Sequence, residues 1–238
     1  TNEAFWEPLK QIVDWAYDNV TSILCSCLAT HAVLESRFGQ KRQPLPLGIK
    51  RWGVFSHEVV DRSHPLIHDV NTRFDVPHSR FNEISRQQFT DAGLHVLVES
   101  RQAGVHLAVS EDGFRIVFFQ GHPEYDNISL LKEFKREVLR YYSGHRDDYP
   151  VFPDNYFSLK AQAILNEYRL MAEKSHLQGK NMPEFPEKVL LPLIDNTWHD
   201  TAEAVVENWV GKVYQVTSME RKVPFMEGIN PDNPLGWL

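Results

Sequence analysis

Apolar residues recur at three- and four-residue steps from Phe5 to Trp15 (Phe5, Trp6, Leu9, Ile12, Val13, Trp15), the spacing of one helix face, and Pro8 suits a first turn. A short apolar run, Val20 to Leu24, reads as a strand. Cys25 and Cys27 come next, and then a second amphipathic stretch, Leu28 to Phe38, stopped by Gly39. The expected order is helix, strand, sharp turn, helix. Four further runs are β-like: Trp52 to Phe55, Leu94 to Glu99, Val105 to Ser110 and Phe114 to Phe119. The last, FRIVFF, is apolar enough for a buried central strand.

Leu130 to Tyr142 reads as a helix, and so does Phe157 to Ser175, with Leu159, Ala163, Ile164, Tyr168 and Leu170 as its apolar positions. A loop from Asp147 to Asn155 separates them. A proline-rich stretch, Asn181 to Pro192, leads to a last amphipathic helix from about Asp200 to Val216, and Val223 to Leu238 reads as an irregular surface tail. No internal repeat is present. Strands alternating with helices predict an α/β domain with a largely parallel sheet. A doubly wound sheet normally places several βα units before such a sharp strand-to-helix turn, whereas here the turn comes after about twenty-four residues. The sequence is therefore expected to begin inside a domain, and without the preceding strands the piece is expected to be poorly soluble.

The 238 residues carry 25 basic and 32 acidic side chains, a net charge of −7, which argues against nucleic acid as a partner. Hydrophobic residues at 42% and aromatics at 12% place the chain among ordinary globular proteins. No run reaches the roughly eighteen apolar residues of a membrane helix, and the first ten residues lack a basic-then-apolar leader, so a soluble cytoplasmic protein without a membrane partner is expected. Cys25 and Cys27 lie too close in sequence for a disulfide to constrain a loop. No metal is expected either: there is no C-x-x-C pair, and the H-x-x-x-H of His64 and His68 contains Pro65.

Three clusters could carry chemistry. Cys27, between a short strand and a helix, stands where unpaired helix N–H groups and the helix dipole favour a thiolate, the setting of a nucleophile elbow; the alternative is an inert buried thiol. Gly121-His122-Pro123-Glu124-Tyr125-Asp126 follows the most apolar strand, and Pro123 pushes His122 toward extended geometry, so that His122 and Glu124 can project to one side as a base and its orienting carboxylate. An ordinary loop histidine is the alternative there. Val76-Pro77-His78-Ser79-Arg80 could hold a carboxylate through Arg80 and a polar group through Ser79, or be a solvated turn.

The run Asn19 to Cys27, Trp52-Gly53-Val54-Phe55, Pro77-His78-Ser79-Arg80, Gly121 to Asp126 and Asn155-Tyr156-Phe157 together resemble the homoserine O-acyltransferases of the homoserine O-succinyltransferase type, in that family's order. The likeness covers roughly residues 5 to 157 and returns around Trp198 to Tyr214. It implies a flavodoxin-like three-layer sandwich of the class I glutamine amidotransferase type, a mostly parallel sheet with helices on both faces. It also implies one acyltransferase domain over 1–238, with a catalytic core over about 5–157 and a helical extension over about 158–238.

By the same resemblance Cys27 is the nucleophile, His122 the proton acceptor and Glu124 its orienting partner, while Lys50, Ser79 and Arg136 contact substrate and Arg80 is a further candidate. The implied reaction needs no bound cofactor. A succinyl group passes from succinyl-CoA to Cys27 and then to the hydroxyl of L-homoserine, a step of methionine biosynthesis. Acetyl-CoA is the near alternative donor, and relatives are consistent with a homodimer. A hydrolase or amidotransferase using the same three residues, and a non-catalytic binding protein, are the readings from other classes. Where relatives read Cys-Trp-Gly-Ala-Gln-Ala, this chain has Cys27-Leu28-Ala29-Thr30-His31-Ala32, so the wall beside the nucleophile differs. Lys41, Arg42, Lys50 and Arg51 flank the following loop and could meet CoA phosphates.

Overall fold

The computed structural model describes residues 3–46, 49–220 and 222–238. The chain divides into two compact units, one of residues 1–51, 55–123 and 198–238, the other of residues 52–54 and 124–197.

In the first unit, helix α1 (Trp6–Asn19) leads to strand β1 (Ile23–Ser26) and helix α2 (Leu28–Phe38). Gly39 stops α2 in the left-handed region (φ 68°), which costs a residue without Cβ little. Strands β2 (Gln43–Pro44), β3 (Arg51–Val59), β4 (Arg73–Arg80) and β5 (Asn82–Glu83) follow, then α3 (Arg86–Asp91), β6 (His95–Ser100), β7 (Gly104–Val109) and β8 (Ile116–Phe119). Six strands form one sheet in the order β1-β8-β7-β6-β3-β4, with β2 and β5 paired separately.

The α/β class expected from the sequence is the observed one, but the sheet is mixed rather than largely parallel. Only β1 and β8 run parallel among the pairings described, with Ser26 beside Phe119, whereas β7 with β8, β6 with β7 and β3 with β6 are antiparallel. The reason is local. Residues 101–103 turn β6 directly into β7 through Gly104 (φ 71°), and a short turn through Gly113 (φ 80°) joins β7 to β8; neither leaves room for a crossover helix.

Strand β8 is buried along its whole length and alternates between two cores. Ile116 and Phe118 face a cluster containing Val13 of α1, Val33 and Leu34 of α2 and Phe89 of α3. Val117 and Phe119 face another with Leu66, Val205 and Val216. The latter two belong to a closing helix, α7 (His199–Val216), which is tied to the 65–68 segment by Asn208 donating to the carbonyls of Leu66 and His68 and to the residue before β1 by Trp209 donating to Ser22. Helix layers on both sheet faces are thus present within this unit. Each fully buried phenylalanine contributes about 1.5–3 kcal/mol of burial free energy.

In the second unit, α4 (Ser129–Tyr142) and α5 (Leu159–Leu177) share an aromatic cluster centred on Phe134, whose ring lies 5.4 Å from those of Phe152 and Phe157 and 6.2 Å from that of Trp52. Short helix α6 (Glu187–Leu190) follows. In the second unit α4 and α5 lie together around Phe134, while α7 belongs to the first unit. The buried face of α5 is also rotated from the expected one. Ala161, Leu165, Tyr168 and Ala172 are buried, and Leu159 and Leu170 are exposed.

Candidate active site

Cys27 connects β1 to α2 with φ 46° and ψ −103°, a conformation that residues with a Cβ rarely adopt and that stores about 1–3 kcal/mol of strain. Neighbours hold it there. The Cys27 N–H donates to the Phe119 carbonyl (2.7 Å), and the buried Thr30 hydroxyl lies 2.7 Å from the same oxygen and 3.0 Å from the Cys25 carbonyl. The elbow is thereby clamped to the end of β8, and Cys27 sits at the N-cap of α2, where unpaired backbone N–H groups favour negative charge.

Both cysteines are free, but they differ. Cys25 points into the α1–α3 core, and burial pushes its thiol up to about 12, which leaves it protonated and inert. Cys27 is half-exposed. Because β1 and β8 are parallel neighbours, the residues just past their C-terminal ends fall side by side, and those residues are Cys27 and the Gln120-Gly121-His122 turn.

Gln120 fixes the start of that turn. Its amide donates to the carbonyls of Ile84 (3.2 Å) and Val105 (2.9 Å), and its oxygen accepts from the Ile84 N–H (2.6 Å) and faces His31 Nε2 (3.1 Å). All four hydrogen-bonding positions of the amide are used. His31 is buried in α2, and burial lowers it to about 4 against the supporting hydrogen bond, so the neutral ring donates to Gln120. Farther along the turn the His122 N–H donates to the Pro77 carbonyl (2.8 Å) of β4.

The 76–80 segment is therefore no solvated turn. It is the end of β4, with Val76, Pro77, His78 and Arg80 buried. Arg80 directs its donors inward, to the Asn82 carbonyl (2.9 Å), the Ala103 carbonyl (2.5 Å) and His78 Nδ1 (3.4 Å), and lies 3.5 Å from the Glu83 carboxylate. Burial lowers its basicity, opposed chiefly by Glu83, and the charge of Cys27 also acts on it.

Ser79 is half-buried on β4, and the Lys50 ammonium lies 5.7 Å from the Phe81 ring centroid. Glu124 and Arg136 belong to the second unit, Glu124 as an exposed residue at its start and Arg136 on α4. There Arg136, Arg140 and Arg146 converge on Glu137 at 3.2, 3.5 and 3.3 Å. Burial pushes the Glu137 carboxyl up, but the hydrogen bond from Arg136 and the surrounding guanidinium charges outweigh it and hold the group below its usual range.

Sequence reasoning missed Gln120 and two buried histidines, His57 and His106, and gave His78, also buried, no role within the 76–80 cluster. The available signal was a polar residue interrupting an apolar strand, as in Val105-His106-Leu107. Among the described residues no group of three or more His, Cys, Asp or Glu is placed to hold a metal ion.

The family model for homoserine O-succinyltransferase matches residues 1–219. The chain belongs to the homoserine O-succinyltransferase family. It is 65% identical to the homoserine O-succinyltransferase of Nitrosococcus oceani and 64% identical to that of Allochromatium vinosum, in each case over 98% of this chain and 65% of the relative. The chain thus spans about two thirds of the length of these homoserine O-succinyltransferases, and a little under. Among solved structures it is similar to a glutamine amidotransferase from Thermotoga maritima, with TM-score 0.46 and 12% identity over 87% of this chain and 67% of that one, a likeness too slight to argue from.

Proposed function

We propose that the chain is the acyl-transferring part of a homoserine O-succinyltransferase that moves a succinyl group from succinyl-CoA to the hydroxyl of L-homoserine. The observation that carries this reading is the strained elbow at Cys27 beside the turn bearing His122, in a member of this family. The Cys27 thiolate attacks the thioester carbonyl, the C–S bond to CoA breaks, and CoA leaves with a proton from His122. The homoserine hydroxyl then gives its proton to His122 and attacks the acyl-enzyme, which forms the ester and frees Cys27. Glu124 orients His122 and stabilises its protonated form. Lys50, Ser79 and Arg136 contact the substrates, with Arg136 suited to the amino-acid carboxylate.

Intact mass measured after incubation with succinyl-CoA or acetyl-CoA, with and without L-homoserine, tests this. A succinyl adduct is expected on the wild type, absent from Cys27→Ser and discharged by homoserine. An acetyl adduct alone would name the other donor. No adduct from either would overturn the acyl-enzyme.

A further inference from the structure

Acyl transfer as described makes no use of the imidazoles packed beneath the His122 turn. Their protons can be assigned from one end. His57 Nδ1 lies 2.8 Å from the Phe55 carbonyl, which can only accept, so Nδ1 carries the hydrogen and Nε2 of the neutral ring accepts. His78 Nε2, 3.2 Å away, must then donate to it, which leaves His78 Nδ1 to accept from Arg80 Nε at 3.4 Å. The two rings lie within 8° of parallel with centroids 5.1 Å apart. One consistent set of protons runs from Arg80 through His78 and His57 to Phe55, joining β4 to β3.

The catalytic turn rests on this chain. A Cβ placed on Gly121 would stand 2.8 Å from His78 Nε2, 2.9 Å from His106 Nδ1 and 2.6 Å from Val76, so the turn has no slack against the rings. On its other side the turn is gauged by the Pro77 carbonyl, the residue before His78. An apolar ring at 78 could fill the space but would leave His57 Nε2 and Arg80 Nε without their partner. We propose that His78, locked by Arg80 and His57, is a positioning residue that sets the height of the Gly121–His122 turn and thereby the aim of His122 at Cys27. This rests on the role given to His122 above, but not on the identity of donor or acceptor.

The test uses the full chain with imidazole nitrogens labelled for NMR, together with His78→Phe and His78→Gln. In the wild type His57 is expected as the Nδ1–H tautomer and His78 as the Nε2–H tautomer, both neutral at pH 7. In His78→Phe the His122 ring signals should shift or broaden, and kcat for succinyl transfer should fall about 10- to 100-fold with KM for either substrate within about twofold. His78→Gln, whose amide N–H can still reach His57 Nε2, should restore the His122 signals and much of kcat. The opposite tautomer at either ring, or an unchanged His122 spectrum in a folded His78→Phe, overturns the proposal. The expected tautomers and His122 response in a wild type that transfers no succinyl group would retain the positioning role and overturn the acyl-transfer reading alone.

Discussion

Cys27 shows how a functional residue is held against its own preference. Its φ of 46° costs free energy that the Phe119 carbonyl and the Thr30 clamp offset, and the strain serves to present a thiol where a relaxed strand-to-helix turn would bury it. Glycine reaches this conformation with little penalty. Cys27→Gly is therefore expected to raise the free energy of unfolding by about 1 kcal/mol while removing all acyl adduct, whereas Cys27→Ala, which keeps the Cβ, removes the adduct without that gain. Urea unfolding of the two variants checks this, and equal midpoints would show that the elbow carries no strain worth relieving.

Among the elements, β3 has the tightest requirement, in the part that belongs to the second unit. Gly53 has φ 147° and forms a parallel bridge with Asp154, flanked by Val54 N–H donating to the Asp154 carbonyl and Asp154 N–H donating to that of Trp52, both at 2.8 Å. A Cβ at 53 would overlap the Asp154 backbone, which cannot swing aside as a flexible side chain could. Gly53→Ala is expected to cost about 2–4 kcal/mol, read as a lowered thermal midpoint, and a midpoint within a degree of the wild type would contradict it. The same elements show what sequence alone could carry. Helix α2 was legible to the residue because its stop is local, a glycine in the left-handed region. Strand β1 lies a few residues later than the apolar run suggested, since Val20 caps α1 instead. For residues 76–80 the sequence left a solvated turn open beside a substrate-contacting cluster, because Pro77 and His78 are turn-like by composition, and only partners distant in sequence, His57 and the His122 N–H, make them interior. The placement of Cys27 at a strand-to-helix turn and of His122 just past β8 was legible because strand ends and glycines mark such positions locally. Gln120 and the histidine relay were not, because a lone buried polar residue is recognisable only once its partners are known.

Across the molecule the buried histidines couple folding to pH. Burial is the largest effect on each: it lowers His31, His57 and His64 to about 4, and it holds His78 and His106 well below the ordinary value of 6.5. Above pH 7.5 these rings are neutral in both folded and unfolded chains and contribute no pH dependence. As pH falls through 6.5 the unfolded chain takes up protons that the folded rings refuse, so stability declines by up to about 1.4 kcal/mol per pH unit for each ring. For His31, His57 and His64 the loss continues until about pH 4, where the folded rings protonate too; for His78 and His106 it continues lower. Glu137, a carboxylate held low, titrates below its ordinary 4.5 and cannot account for any change near pH 6. Urea midpoints measured at intervals from pH 7.5 to 4.5 should therefore begin to fall near 6.5. His64 is the ring to remove as a control, since it lies outside the relay, where His64 Nε2 donates to the Gly113 carbonyl and Nδ1 accepts from the Leu66 N–H. His64→Gln should lower stability at pH 7.5 yet flatten the descent between pH 6.5 and 4.5 by about one proton. A midpoint that stays level from pH 7.5 to 5 would mean that the rings are protonated inside the folded protein, and the neutral hydrogen-bond chain beneath His122 would fall with it.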